Sequence, residues 1–144
     1  MYGGWLDEGF VRPGARPTRA DFEIAANCSV VMTDDVDEAL DAMKGGLAFY
    51  IGGVGAKDMN FDEQVFAPMG YEAERIQDLF HDGRRDEAIA AVPRRMPADI
   101  SLAGSREQPR DHLAAWQGAG VTMLVVGGGS IETMREVAEV ILGA

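Results

Sequence analysis

The stretch Phe49-Tyr-Ile-Gly-Gly-Val-Gly-Ala-Lys-Asp-Met-Asn60, FYIGGVGAKDMN, has the outline of a phosphate loop: an apolar lead-in, three glycines within four positions, and a lysine placed to meet an anion. A nucleotide-binding loop follows a strand and opens a helix, so that free N–H groups face the anion. Upstream of this stretch, Val36, Ala39, Leu40, Met43, Leu47, Tyr50 and Ile51 fall on one helical face, and the period runs past Gly45-Gly46 into the quoted residues. The glycines therefore follow a helix and meet its orphan carbonyls. Their predicted role is to end the helix and turn the chain. The spacing agrees: Asp58 stands where a Walker loop needs Ser or Thr, and where a dinucleotide fingerprint needs a small residue. Lys57 stays a candidate substrate or anion contact beside the plainer reading of a solvated lysine.

Working outward, Asn60 and Glu63 have the spacing of a capping box, which restarts the chain as a helix. Helical segments are predicted over Asp62–Met69, Tyr71–His81 and Arg84–Val92, with breaks at Pro93 and Pro97. Before the stretch, Met1–Phe10 reads as a short helix and 11–20 as a loop. Phe22–Met32 is β-branched and apolar enough for a strand, with Thr33 or Asp34 capping the helix that follows. After it, Ile100–Ala103 is a brief extended piece. Ser105 is placed to cap a helix to about Gln117. Val121–Val126 is an uninterrupted apolar strand, the pattern of a strand covered on both faces, and Ile131–Leu142 is a final helix.

A second glycine run has the better order for an anion. Gly127, Gly128 and Gly129 follow a predicted strand, and Ser130 opens a predicted helix. This is the arrangement of a phosphate position after a late barrel strand, and these four residues are the candidate cofactor-binding loop. The bland alternative is a tight turn with Ser130 as N-cap. Catalytic residues cannot be singled out. His81 and His112 are far apart, no ligand spacing suggests a metal, and no nucleophile elbow occurs.

The formal net charge of −11 opposes nucleic acid, and the basic residues are dispersed. No apolar run approaches the roughly 18 residues of a membrane helix. The single cysteine, Cys28, excludes an internal disulfide and fits a reducing compartment, so a cytoplasmic location is expected.

Several stretches together carry a resemblance: Thr33–Lys44 (TDDVDEALDAMK), Tyr50–Phe61 (YIGGVGAKDMNF), Ile76–Phe80, Ala88–Pro93, Asp99–Gly104 and Ala119–Leu124. In this order they resemble the C-terminal region of luciferase-like oxidoreductases that use coenzyme F420. The resemblance implies an α/β fold: a C-terminal fragment of a (β/α)8 TIM barrel, mostly helical with two or three short parallel strands. Residues 1–144 would form a single partial barrel domain of the last two β/α units, with a helical insertion over about residues 53–99. Phe22–Met32 would be the seventh strand and Val121–Val126 the eighth. The implied activity is hydride transfer between the deazaflavin coenzyme F420, rather than FMN, and a small-molecule substrate. A complete barrel needs about 250 residues, so this chain is expected to lack most of the active site. Self-association or a complementing barrel half is expected to cover its open strands. Two other readings stand beside this one: a noncatalytic remnant or assembly module, and a small anion-binding protein built on Gly127–Ser130.

Overall fold

The computed structural model describes residues 3–15, 18–56, 59–105, 108–127 and 130–143; of residues 108–112 it describes the backbone only. In chain order the elements are α1 (Gly3–Phe10), β1 (Ala25–Met32), α2 (Val36–Gly53), α3 (Phe61–Phe66), α4 (Ala73–His81), α5 (Arg85–Ala91), α6 (Arg95–Ile100), β2 (Ser101–Gly104), α7 (Gln108–Gly118), β3 (Met123–Val126) and α8 (Ile131–Leu142). Short 3-10 turns cover Arg19–Asp21 and Ala67–Met69.

The expected cap of α2 moves by one or two residues. Asp35, rather than Thr33 or Asp34, accepts from the Glu38 N–H at 3.1 Å. The Thr33 hydroxyl instead accepts from the Asp35 N–H and holds the entry turn. α2 then runs unbroken through Gly45-Gly46 and on through Gly52-Gly53. Contrary to the expectation from the sequence, these last two glycines do not turn the chain; they let another helix approach. A Cβ on Gly52 would lie 2.7 Å from Phe80 Cγ, and one on Gly53 would lie 2.9 Å from Phe80 Cε1. The turn belongs to Gly55, whose φ of +86° favours a residue without a side chain.

Asn60 closes this corner. Its side-chain oxygen accepts from the Glu63 N–H at 3.0 Å and caps α3. Its amide nitrogen donates to the carbonyls of Tyr50, Ile51 and Val54 at 3.2, 2.5 and 2.8 Å. One buried side chain thus serves the C-terminal end of α2 and the N-terminal end of α3, and it is only 1% exposed. Gln77 of α4 also donates to the Ile51 carbonyl. The expected break at Pro97 is absent: Pro97 lies in the first turn of α6, where the missing N–H has no intrahelical acceptor to lose.

The most tightly packed core is helical. Ala48 and Ile51 of α2 meet Ile76 of α4, Ala88 of α5, Val92 and Met96, all essentially inaccessible. Burying one side chain of Ile or Val size is worth about 1.5–3 kcal/mol, so this cluster anchors the block from α2 to α6. The three strands are parallel and ordered β2-β1-β3. β2 pairs only the C-terminal half of β1 (Ser29–Met32 with Ser101–Gly104), and β3 only the N-terminal half (Ala25–Cys28 with Met123–Val126). The chain is of the α/β class expected, mostly helical with three short parallel strands. β3 departs from the expectation of two covered faces, because Met123 and Val125 are 42% and 46% exposed while Leu124 and Val126 turn inward.

Candidate functional site

β1 alternates. Cys28 is buried, whereas Asn27 and Ser29 point to the opposite, more open face. Two hollows meet on that face. The larger, about 490 Å³, lies between Asn27 and Ser29, α2 (Met43, Leu47, Tyr50), Asp62 and Phe66 of α3, and Ile100-Ser101. The smaller, about 380 Å³, shares Asn27, Ser29 and Ile100 and reaches Val125 and Gly127 at the end of β3. Together they make one depression with apolar walls and a few amide and hydroxyl groups, the usual make-up of a small-molecule site. Among the described residues no lysine, arginine or histidine lines it. Burial pushes the Asp62 carboxyl above its usual pKa.

The structure places Gly127 in this depression, while Gly128, Gly129 and Lys57 lie outside the described residues. Ser130 does cap α8: its hydroxyl accepts from the Thr133 N–H at 3.2 Å. The same helix start already holds an anion of its own. Hydrogen bonds from its own backbone N–H and from the Ser130 side chain keep the Glu132 carboxyl below its usual range. An exogenous phosphate at Ser130 would have to displace that carboxylate.

The hydrophobic side of the sheet carries a separate apolar groove of about 420 Å³ between α7, α8 and β3, walled by Leu113, Trp116, Met134, Val137 and Ile141. Cys28 is a packing residue. It is buried, and burial pushes its thiol pKa up, away from the reactive thiolate. No three His, Cys, Asp or Glu side chains cluster to hold a metal among the described residues, and none of the described helices is long and apolar enough to cross a membrane.

Sequence reasoning missed Asn27, Ser29, Tyr50 and Asp62 as lining residues. The strand signal for the first two was present, since polar Asn27 and Ser29 alternate with Ala26 and Cys28. Tyr50 and Asp62 meet only because the corner at Asn60 folds α3 back beside α2.

A profile of the luciferase-like monooxygenase family matches residues 7–123. A Mycobacterium tuberculosis (strain H37Rv) protein named "Putative coenzyme F420-dependent oxidoreductase Rv3520c" is 45% identical over 143 residues, which is 98% of this chain and 41% of that protein. The structure of coenzyme F420-dependent tetrahydromethanopterin reductase from Methanopyrus kandleri superposes with a TM-score of 0.61 at 23% identity, covering 90% of this chain and 37% of that one. At that identity the likeness shows the fold alone. The chain thus spans about two fifths of the length of both relatives. Over the larger part of its length it matches one family, and it belongs to the luciferase-like monooxygenases.

Proposed function

We propose that this chain is the C-terminal portion of a coenzyme F420-dependent oxidoreductase whose whole form transfers a hydride between the deazaflavin and a small-molecule substrate. The observation that carries the reading is the 45% identity sustained over 98% of the chain with a protein of that name. Both relatives are named for F420, which favours it over FMN. A cytoplasmic location accompanies this reading.

The described residues supply a wall of such a site rather than a complete one. The depression is open-sided, and no described cation faces it to balance a phosphate-bearing cofactor. Within the reading, Gly127–Gly129 and Ser130 are the proposed contact for the anionic part of the cofactor and Lys57 a proposed substrate contact. The Glu132 carboxylate at the same helix start weakens the first of these for the chain alone.

The reading is tested by titrating coenzyme F420 and following its fluorescence, first with the isolated chain and then with the remainder of a luciferase-like barrel added. Little change with the chain alone and saturable binding with the remainder is the expected result. No binding in either case would end the F420 reading. A second reading, a noncatalytic assembly module, draws support from the exposed apolar residues of β3; hydride transfer by the completed barrel would eliminate it.

A further inference from the structure

We propose that the larger hollow is a charge-selective substrate site. It takes an uncharged molecule that joins an apolar ring or chain to a carbonyl, hydroxyl or amide group, and Asp62 excludes carboxylates and phosphates from it. This names the substrate class of the site proposed above and rests on that reading.

The hollow of about 490 Å³ offers apolar surface from Leu47, Phe66 and Ile100. Its polar groups besides Asp62 include the Asn27 amide and the Ser29 and Tyr50 hydroxyls. Among the described residues no hydrogen bond engages these three side chains. An amide and two hydroxyls can each donate and accept, so they suit a neutral polar group of either kind. Ser101, on the same wall, is turned inward: its hydroxyl donates to the Pro97 carbonyl at 2.7 Å.

Asp62 stands in the first turn of α3. Burial raises its pKa, but the carboxyl also accepts from its own backbone N–H, a bond that favours the ionised form. At neutral pH it is the one charge that the described residues turn toward the hollow, and no described lysine, arginine or histidine lines the walls to balance it. An anion placed there would meet this carboxylate across walls of low polarity, where repulsion over a few ångströms outweighs its value in water. A substrate contact from Lys57 is compatible with this selectivity, because an ammonium also donates to a neutral carbonyl. The net charge of −11 repels anions in its own right. The effect of one carboxylate therefore has to be separated from that general field.

The probes are benzenesulfonamide and benzenesulfonate, closely matched in size and shape, the first neutral and the second anionic. Each is titrated into the 144-residue chain at neutral pH and followed by nitrogen-15 NMR. The expected result is saturable binding of the sulfonamide, with shifts centred on Asn27, Ser29 and Tyr50. The sulfonate should bind more weakly by about ten-fold or more. Asp62→Asn should bring the two probes to nearly equal affinity, and Asp62→Ser repeats the test with a second neutral side chain. Glu63→Gln removes an equal charge one residue away, outside the hollow, and should leave the gap in place. Equal affinity of the parent chain for both probes would overturn the proposal. So would a gap that Glu63→Gln closes as far as Asp62→Asn does, because the field of the whole chain would then be responsible. Binding of neither probe, or shifts centred on the groove between α7 and α8, would overturn it too. Coenzyme titration is read separately. A completed barrel that ignores coenzyme F420 would end the proposed function and leave the probe selectivity standing, while coenzyme binding without probe selectivity would remove this inference alone.

Discussion

The Asn60 side chain reaches four backbone partners: its two amide N–H groups are shared among three carbonyls, and its oxygen accepts from the Glu63 N–H. Asn60→Ala removes the cap of α3 and takes a donor from three carbonyls at the end of α2, of which the buried one, Ile51, keeps only the longer bond from Gln77. The expected loss is about 2–4 kcal/mol, read as a lower urea midpoint. Asn60→Asp keeps the acceptor for Glu63 but turns a carboxylate toward three carbonyls, so it should destabilise at least as much as alanine does. Gly52→Ala offers a second test. Alanine favours a helix interior over glycine by about 1 kcal/mol, yet the added methyl would strike the Phe80 ring. Overpacking costs about 1–3 kcal/mol, so a net loss is expected, with Phe80→Leu in the same chain restoring part of it in thermal melts.

At the scale of elements, Arg94 ties the start of α6 to the first turns of α2 through Asp37 at 2.7 Å and Asp41 at 2.9 Å. The Arg94 guanidinium, and next the Lys44 ammonium, hold the Asp41 carboxyl well below its usual range. The folded state therefore binds that proton more weakly than the unfolded chain. Stability from this group is present above the ordinary aspartate pKa of about 4 and is lost as pH falls below it. Urea midpoints measured between about pH 5 and pH 2 should fall less steeply in Arg94→Gln than in the parent, and salt should shrink the difference. Most elements were legible in the sequence because their signals are local: the apolar period of α2, the Asn60–Glu63 spacing, the β-branched run of β1. The tie between Arg94 and Asp41 was not, since 53 residues separate the partners. Gly52-Gly53 misled for a related reason. Glycine permits both a turn and a close helix contact, and only the position of Phe80, remote in sequence, decides between them. The candidate site was legible in even smaller part: of the residues that line the depression only Gly127 was singled out, from strand-loop-helix order, and the depression itself needs β1, α2 and α3 brought together.

Across the whole molecule, packing is uneven. The block from α2 to α6 contains Ile51, Ile76, Val92 and Met96 at essentially no exposure, while β3 and α8 leave Met123, Val125, Ile131 and Leu142 open to solvent. Amide hydrogen exchange should therefore be slowest in α2, α4 and α5 and much faster in β3 and α8; uniform protection along the chain would contradict this division. The contacts of the two regions also differ in reach. The bonds made by Asn60 close loops of 6 to 10 residues, whereas the Ile24 N–H and the Thr122 hydroxyl are 98 residues apart. In kinetic terms the corner at Asn60 can close early, because a short loop forfeits little chain entropy, while the Ile24–Thr122 junction must wait for almost the whole chain. Asn60→Ala should thus slow folding, and Thr122→Ala should chiefly speed unfolding, a contrast that stopped-flow chevrons would display as high and low φ-values.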